Sequence, residues 1–212
     1  MLLDFLFPKT SLRGSEGEWM SPEEISCLRF TSRIFPGEEL RKRGVLSIDR
    51  IFAMGSYRDT PLLKKVIHTF KYRRIPRLSI LLTEELNRAL VEYFPLDQEK
   101  VLCPVPLHFL RKFERGFNQA ELLAAHLSKK WKMEVAPLLR RVRPTGHQVR
   151  RTRAERWKAL RGAFEGKRGF PVPQRVILVD DVFTTGATLE ECARVLKALG
   201  VQKVEAIVLA YD

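Results

Sequence analysis

Apolar residues follow two regular spacings from about residue 56 to the end of the chain. Spacing typical of helices predicts helices over residues 61–70, 76–94, 118–131 and 188–199. Continuous apolar runs predict buried strands over residues 100–106, 135–139, 174–180 and 203–210. Because strands that alternate with helices form parallel sheets covered by helices, the pattern predicts an α/β fold with a mainly parallel sheet flanked by helices.

Two regions depart from this pattern. Residues 1–55 contain repeated Pro and Gly and no long periodic segment, so we predict a small irregular N-terminal cap before a main domain over residues 56–212. Residues 142–163 are polar and basic without a stable period, which predicts a mobile loop with one turn of helix near residues 155–160.

The composition indicates a globular protein. Of the 212 residues 45% are hydrophobic, which is enough for a sizeable core, and no apolar run approaches the ~18 residues of a membrane-spanning helix. The amino terminus lacks a basic region and carries Asp4 within its apolar stretch, which argues against a signal peptide. Three cysteines at wide spacing form neither a disulfide framework nor a metal site. We therefore expect a cytoplasmic protein that does not insert into membranes.

The chain is strongly basic, and the excess charge is concentrated. Lys and Arg number 38 against 25 Asp and Glu, a net charge of +13. Residues 108–161 contain 15 Lys and Arg against four acids, so a local excess of +11 lies in this stretch. A basic stretch is often a solvated face. Beside a phosphate motif it favours an anionic partner, either nucleic acid or a phosphorylated small molecule.

The segment that carries chemistry spans residues 176–188. Its apolar strand ends in two adjacent carboxylates, Asp180 and Asp181, and a turn rich in hydroxyl groups then opens a helix. Ligands of open α/β sheets bind at this end of the strands, where the N–H groups of a helix N-terminus favour phosphate. Carboxylates suit the vicinal hydroxyls of a ribose, directly or through a divalent metal. The segment predicts a sugar phosphate site; the alternative is an Asp-capped turn without a ligand.

This segment resembles the thirteen-residue phosphoribosyl pyrophosphate (PRPP) signature of type I phosphoribosyltransferases. The resemblance implies that Asp180 and Asp181 hold the ribose hydroxyls. It implies that the 5′-phosphate is bound by the residues after the acids, which are Val182, Phe183, Thr184, Thr185, Gly186, Ala187 and Thr188. Mg²⁺ is the expected cofactor, bound mainly through PRPP.

Further stretches narrow the resemblance to one family. Residues 104–108 read PVPLH and residues 115–119 read RGFNQ, a pair that looks like the hallmark of ComF (ComFC-like) proteins. Residues 145–164, which end in GAF, and the FKY of residues 70–72 are similar to other stretches of that family. ComF proteins usually begin with a four-cysteine zinc module, but Cys27 is the one cysteine in the first hundred residues, so we predict no structural zinc. Ala159 stands where the family usually has Asn, within the basic loop over residues 142–163. This loop has the composition of a lid over the site, and the missing Asn puts the chemistry of that lid in question.

Loss of pyrophosphate from PRPP requires cations at the leaving group and a lid that excludes water. Arg115 follows a predicted strand where type I enzymes place a pyrophosphate loop, and we count it with Asp180 and Asp181 as catalytic. Further residues predicted to contact pyrophosphate or to belong to the lid are Lys71, Arg111, Gln148 and Arg156.

The remaining reactive side chains favour structural roles. His108 and His147 lie in predicted loops, where a lone histidine is more often an ordinary polar side chain than a general base. Cys103, Cys192 and Trp131 lie on apolar faces and are expected in the core. Trp157, in the basic loop, is the better candidate for stacking on a base.

Two functions from different classes follow. The ComF resemblance implies a PRPP-binding protein of natural competence that acts on incoming single-stranded DNA beside a helicase-like ATPase. The alternative is an active phosphoribosyltransferase of nucleotide salvage or metabolism with an unidentified acceptor. The basic stretch agrees with both, because pyrophosphate and DNA are both polyanions.

Overall fold

The computed structural model of the protein describes residues 30–73, 75–76, 78–94, 99–144 and 152–212. Its strands are β1 (Arg33–Pro36), β2 (Arg50–Ser56), β3 (Val101–Pro104), β4 (Leu139–Arg141), β5 (Phe164–Gly166), β6 (Arg175–Phe183) and β7 (Lys203–Tyr211). Its helices are α1 (Gly37–Lys42), α2 (Pro61–Tyr72), α3 (Leu78–Tyr93), α4 (Phe109–Arg115), α5 (Gln119–Trp131), α6 (Arg153–Leu160) and α7 (Ala187–Leu199). None of these helices is long and apolar enough to cross a membrane. The four predicted helices correspond to α2, α3, α5 and α7.

A five-stranded sheet in the order β1-β2-β7-β6-β3 forms the centre of the fold. β2, β7, β6 and β3 run parallel, and β1, at one edge, pairs antiparallel with β2. β4 and β5 form a separate antiparallel pair. The predicted α/β fold with a mainly parallel sheet flanked by helices is confirmed.

Both faces of the sheet are buried, which explains why its strands appear in the sequence as continuous apolar runs. Successive residues of a strand point to opposite faces, so Ile177 and Val179 join one apolar cluster while Val176 and Leu178 join the other. α2, α3 and α5 cover the first face, and α7 with the β4–β5 pair covers the second. The carboxyl ends of the parallel strands therefore meet at one edge of a closely packed layer.

β2 lies inside the sheet, between β1 and β7, although the sequence predicted an irregular cap up to residue 55. Four consecutive residues of this strand, 51–54, are fully buried. A short apolar run without alternation does not separate a buried strand from a buried helix by spacing alone, and the Pro and Gly residues around it favoured an irregular segment. The prediction of an irregular cap is therefore wrong for residues 30–55, which belong to the sheet and its flank. Residues 1–29 lie outside the described residues.

The strand predicted over residues 135–139 is displaced. Val135 forms an isolated parallel bridge with Leu102, and β4 begins at Leu139. Pro137 lies between them and has no N–H to donate to a neighbouring strand. Pairing with β5 therefore starts after the proline.

The predicted loop over residues 142–163 contains α6, a helix of eight residues. Thr152 Oγ1 accepts a hydrogen bond from Glu155 N, and the Glu155 carboxylate accepts one from Thr152 N, so a capping box is complete. Because this cap satisfies two N–H groups at the start of the helix, α6 is longer than the single predicted turn. Residues 145–151 lie outside the described residues.

A buried ionic cluster lies at the edge of the sheet where the parallel strands begin. The Glu205 carboxylate lies 2.9 Å from Lys100 Nζ, and both side chains are 1% exposed. Arg50 also pairs with Glu205, and Lys203 Nζ lies 3.9 Å from it. Burial alone would raise the pKa of Glu205, but the hydrogen bonds and charges of Lys100 and Arg50 outweigh burial and lower it. Glu205 is therefore ionised and neutralised within the fold.

Candidate functional site

The carboxyl end of β6 presents two adjacent carboxylates. Asp181 N donates a hydrogen bond to Asp180 Oδ1 at 2.8 Å. Asp181 Oδ1 lies 2.8 Å from Nζ of Lys71, the penultimate residue of α2, and both side chains are mostly buried. The structure therefore brings Lys71, one of the cations predicted from the sequence, into direct contact with the acid pair.

Asp180 lies where ionisation is unfavourable. Burial, and next the charge of Asp181, raise the pKa of Asp180 from 3.8 to about 7. The Asp181 N–H and the cations Lys71 and Arg141 oppose this shift but do not cancel it. A carboxyl group with a pKa near neutrality at the ligand-binding edge of a sheet is typical of a functional site.

The turn after β6 has a backbone that a ligand can approach closely. Gly186 has φ +82°, and a Cβ there would lie 2.5 Å from Val45 Cγ2, so a larger residue would displace the turn. Gly186 is the N-cap of α7, and Thr185 Oγ1 accepts a hydrogen bond from Ala187 N at 3.4 Å. The N–H groups at the start of a helix, with threonine hydroxyls beside them, favour a phosphate.

Two of the predicted phosphate residues still belong to the strand. Val182 lines the cleft described next, whereas the Phe183 ring is buried against Phe35 with the ring centroids 5.1 Å apart. Residues 184–186 form the turn, and residues 187–188 begin α7. The Phe183 side chain is thus part of the core, because the apolar face of β6 extends beyond the acid pair.

A cleft of about 320 Å³ opens between α2, α4, α6 and the end of β6. The cations Lys71, Arg111, Arg115 and Arg156 line it together with Thr184 of the turn. Four of the residues predicted to contact pyrophosphate thus surround one space, although they come from three separate helices. Gln148, the remaining predicted lid residue, lies outside the described residues.

The caps of α4 place two of these cations. His108 Nδ1 accepts a hydrogen bond from Leu110 N at 3.4 Å, and Gly116, with φ +81°, ends the helix. Arg111 and Arg115 are one turn apart and both line the cleft. His108 therefore acts as a helix cap, in agreement with its interpretation as an ordinary polar side chain.

Arg115 is held from two sides. Its Nη1 donates a hydrogen bond to Gln119 Oε1 at 3.0 Å, and its guanidinium lies 5.2 Å from the centroid of the Tyr72 ring. Asn118 caps α5, and its Nδ2 donates to Val105 O at 3.0 Å. The RGFNQ stretch thus fastens the loop after β3 to α5 and fixes the direction of Arg115.

Arg156 reaches the phosphate turn from α6. Its Nη1 donates a hydrogen bond to Thr184 Oγ1 at 3.3 Å. The next residue, Trp157, is partly buried against the second apolar cluster and anchors α6 there. That its ring stacks on a base stays a prediction. Sequence reasoning grouped Arg156 with pyrophosphate, but its hydrogen-bond partner belongs to the turn that opens α7.

Arg141 of β4 is a residue of the site that sequence reasoning did not single out. Burial, and then the charge of Arg111, lower the pKa of Arg141 to about 10, while the nearby Asp180 opposes the shift. Its guanidinium lies 5.3 Å from the centroid of the Phe164 ring. No spacing distinguishes this arginine from its basic neighbours, because its burial arises when the β4–β5 pair packs beside β6.

The described residues contain no group of three or more His, Cys, Asp and Glu side chains placed to hold a metal ion. Asp180 and Asp181 offer two carboxylates, a donor set that suits Mg²⁺ when oxygens of a ligand and of water complete its coordination. Cys103 and Cys192 are buried as predicted, and burial raises the pKa of Cys103 to about 12, so it is not a reactive thiol. Cys27 and His147 lie outside the described residues.

Comparison with known proteins gives one consistent result. The phosphoribosyl transferase domain family matches residues 75–212. Competence protein F of Haemophilus influenzae is 34% identical over 172 residues, which are 75% of this chain and 71% of that protein. DNA utilization protein YhgH of Escherichia coli K12 is 32% identical over 166 residues, 74% of this chain and 69% of that protein. Competence protein ComFC of Bacillus subtilis is 32% identical over 144 residues, and the match spans 57% of its length.

Proposed function

The chain belongs to the phosphoribosyl transferase domain family and to the ComF-like competence proteins within it, and from this premise we propose that it binds PRPP with Mg²⁺ at the carboxyl end of β6. One juxtaposition carries the proposal: the acid pair, the N-terminus of α7 and a cleft lined by four cations lie side by side. PRPP combines a ribose diol, a 5′-phosphate and a pyrophosphate. The acid pair fits the diol, the N-terminus of α7 fits the 5′-phosphate, and the cations of the cleft fit the pyrophosphate.

Each part of the ligand has its own protein groups in this proposal. Asp180 and Asp181 accept hydrogen bonds from the ribose hydroxyls. The N–H groups and hydroxyls of residues 184–188 donate to the 5′-phosphate. Arg111 and Arg115, whose charges face the cleft, neutralise the pyrophosphate.

Lys71 changes partner when the ligand binds. Without ligand its ammonium neutralises Asp181 at 2.8 Å. The ribose hydroxyls then take over the carboxylate, and Lys71, which lines the cleft, is drawn to the pyrophosphate. Lys71 thus exchanges the Asp181 carboxylate for the pyrophosphate, and Asp181 exchanges Lys71 for the ribose hydroxyls. Neither charged side chain is therefore left buried without a partner.

Mg²⁺ fits this site as a companion of the ligand. When bound, it would be held by the oxygens of PRPP beside Asp180 and Asp181, and it would offset the negative charge of the pyrophosphate. The protein supplies orientation: Arg115 is fixed by Gln119 and Tyr72, and α6 covers the phosphate turn through Arg156. A covered site excludes water from the reactive ribose carbon.

We place the role of this site in natural competence and DNA utilization, in the cytoplasm, with single-stranded DNA and a helicase-like ATPase as partners. The names of the relatives, which refer to competence and to DNA utilization, support the DNA-related role. The basic excess, which is larger than a pyrophosphate needs, supports a nucleic acid as a partner. The second candidate is an active phosphoribosyltransferase with a separate acceptor. The convergence of Lys71, Arg111 and Arg115 on the part of the cleft assigned to the pyrophosphate favours retained turnover.

Calorimetry with PRPP and Mg²⁺ tests the proposal. Wild type should bind, and the Asp180→Asn, Asp181→Asn double variant should not. Within α4, Arg111→Gln should weaken binding at least tenfold, by the loss of a charge-assisted hydrogen bond of about 1.5–3 kcal/mol. The matched control Lys112→Gln, whose ammonium pairs with Glu121 away from the cleft, should bind like wild type. Absence of PRPP binding by wild type would refute the proposal.

The DNA role has a separate test. Charge reversal at Arg150, Arg151 and Arg153 should weaken binding of a single-stranded oligonucleotide and flatten its salt dependence, because fewer counterions are released. PRPP calorimetry on the same variant is expected to match wild type, since Arg153 donates to Arg43 O and does not line the cleft. Unchanged DNA affinity would exclude this stretch as the contact.

A further inference from the structure

A second cavity opens between α6, α7 and the segment that joins α1 to β2. Its volume is about 410 Å³, within the range of about 300–1,000 Å³ that small-molecule sites occupy. No described residue lines both this cavity and the cleft at the end of β6. α6 contributes to both, because Arg156 reaches the phosphate turn and the next residue, Trp157, lines the second cavity. We call this space the Trp157 cavity.

The Trp157 ring gives the cavity a flat surface that is held in place. The side chain packs in part against the second apolar cluster and also lines the cavity. A Cβ on Gly44 would lie 3.9 Å from Trp157 Cζ2, so the backbone of the joining segment passes at the edge of the ring. Leu46, which is 67% exposed, and Ala187 extend the apolar wall. Among the residues that the structure describes, no aromatic ring or cation stacks on Trp157, so a planar ligand can.

Two carboxylates line the Trp157 cavity, and donors of the protein already bind both of them. Glu190 accepts hydrogen bonds from two backbone N–H groups of the joining segment and from Ser47 Oγ. Glu191 accepts hydrogen bonds from Gly162 N and, at two points, from the Arg194 guanidinium. The pair of Glu191 and Arg194 is therefore neutral, and only the charge of Glu190 counts against an anion in the cavity.

Two further cations line the Trp157 cavity. They are Lys158 and Arg161, and neither side chain forms an ion pair or a hydrogen bond with another residue of the described part of the chain. Glu155, one turn before Lys158, is an acid of the same helix, but its carboxylate is bound by the N–H and hydroxyl groups of Thr152. With Glu190 subtracted, the lining keeps a net charge of +1. The cavity thus combines an aromatic wall with a local excess of positive charge.

We propose that the Trp157 cavity binds a nucleotide, with the base stacked on Trp157 and the phosphate beside Lys158 and Arg161. An uncharged planar ligand would make no use of the two cations, and inorganic phosphate would leave the apolar wall in contact with water. A nucleotide meets both requirements. A free nucleotide and one nucleotide of a single strand have the same chemistry here, and only the second of these sources rests on the proposed role in DNA handling.

Tryptophan fluorescence of the full chain reports on this site directly, because a base stacked on an indole ring quenches its emission. The probes are thymidine monophosphate and an oligothymidylate, and their affinities are measured by calorimetry. Wild type should bind at least one probe and be quenched by it. Trp157→Ala should lower that affinity about tenfold and lose the quenching. Trp157→Phe, which keeps a ring but no indole, should stay within about threefold of wild type in affinity and also lose the quenching.

The cations are tested at surface positions, where the fold tolerates substitution. Lys158→Gln and Arg161→Gln should each weaken binding of the oligothymidylate and reduce the slope of log K against log salt by about 0.7, the contribution of one phosphate contact on a single strand. The matched control is Lys130→Gln on α5, which covers the opposite face of the sheet and should bind like wild type. These variants decide the question even if Trp157→Ala does not fold.

The two probes also distinguish the source of the nucleotide. Quenching by thymidine monophosphate indicates a free nucleotide, and quenching by the oligothymidylate alone indicates a strand. The proposal is wrong if wild type binds neither probe, or if Trp157→Ala and Lys158→Gln both bind like wild type. Displacement of the probe by PRPP with Mg²⁺ would assign it to the cleft and overturn the Trp157 cavity, while PRPP binding would stand. Binding of a probe by a wild type that does not bind PRPP would refute the PRPP proposal alone.

Discussion

Replacing Asp180 by Asn is expected to stabilise the protein while it disables the site. The carboxyl group is buried beside a second carboxylate, and its pKa of about 7 means that the folded protein opposes its ionisation. The Asn amide has the same shape, and its oxygen accepts the same hydrogen bond from Asp181 N, but it carries no charge. At alkaline pH the variant therefore avoids the free energy of burying that charge.

The magnitude follows from the pKa. In the unfolded chain the group ionises near its ordinary value of 3.8, and in the folded protein near 7. At about 1.36 kcal/mol for each pKa unit, this difference corresponds to on the order of 4 kcal/mol. Because the folded state binds the proton more tightly, the unfavourable contribution is complete above pH 7, declines as the pH falls towards 3.8, and is absent below that. The advantage of Asp180→Asn should follow the same course.

Urea unfolding of wild type and variant at about pH 8 and about pH 4.5 measures this advantage. Asp212→Asn serves as the control, because its exposed ion pair with Arg58 is worth less than about 1 kcal/mol. Asp180→Asn should unfold at higher urea than wild type at the alkaline pH and show a much smaller difference at the acid one. Equal stability at alkaline pH, or an advantage of the same size at both, would refute the reasoning.

The remaining predictions concern the core and the turn. Glu205→Gln should lower the free energy of unfolding by about 3–5 kcal/mol, because it leaves buried cations without their carboxylate; an unchanged urea midpoint would contradict this. Gly186→Ala should cost on the order of 1–3 kcal/mol, since the added Cβ meets Val45 at a positive φ, and thermal unfolding would detect it. Burial raises the pKa values of Cys103 and Cys192, so iodoacetamide near neutral pH should label neither in the folded protein and both in urea, as read by mass spectrometry; labelling in the folded state would count against the packing.

The sequence reveals the parts of the fold whose signals are local. β6 and α7 could be predicted because an apolar run, an acid pair and a glycine turn follow one another without interruption. α2 and α3 likewise show helical spacing over several turns. β2 could not be predicted, because both the parallel strand that pairs with it and most residues of the apolar clusters on its two faces lie far away in the chain.

The residues of the candidate site also divide into those that a local sequence signal reveals and those that only the packing of the fold brings together. The acid pair and the turn are contiguous in sequence, so their proximity was predictable. The convergence of Lys71, Arg111 and Arg156 depends on how three helices pack on the sheet, and motifs suggested these residues without their arrangement. Arg141 left no signal at all, because what distinguishes it from other arginines is its tertiary burial beside Asp180.

The two ends of the parallel strands place carboxylates in opposite surroundings. Glu205, where the strands begin, is neutralised by cations of its own protein. At Asp180, where β6 ends, the nearby cations do not outweigh burial and the charge of Asp181. Loss-of-function alleles at the two ends of the strands should therefore differ in their effect on the protein. Substitutions around Glu205 would reduce how much protein a cell accumulates, while substitutions at Asp180 would leave a persistent, well-folded and inactive protein that still competes for partners of the wild type.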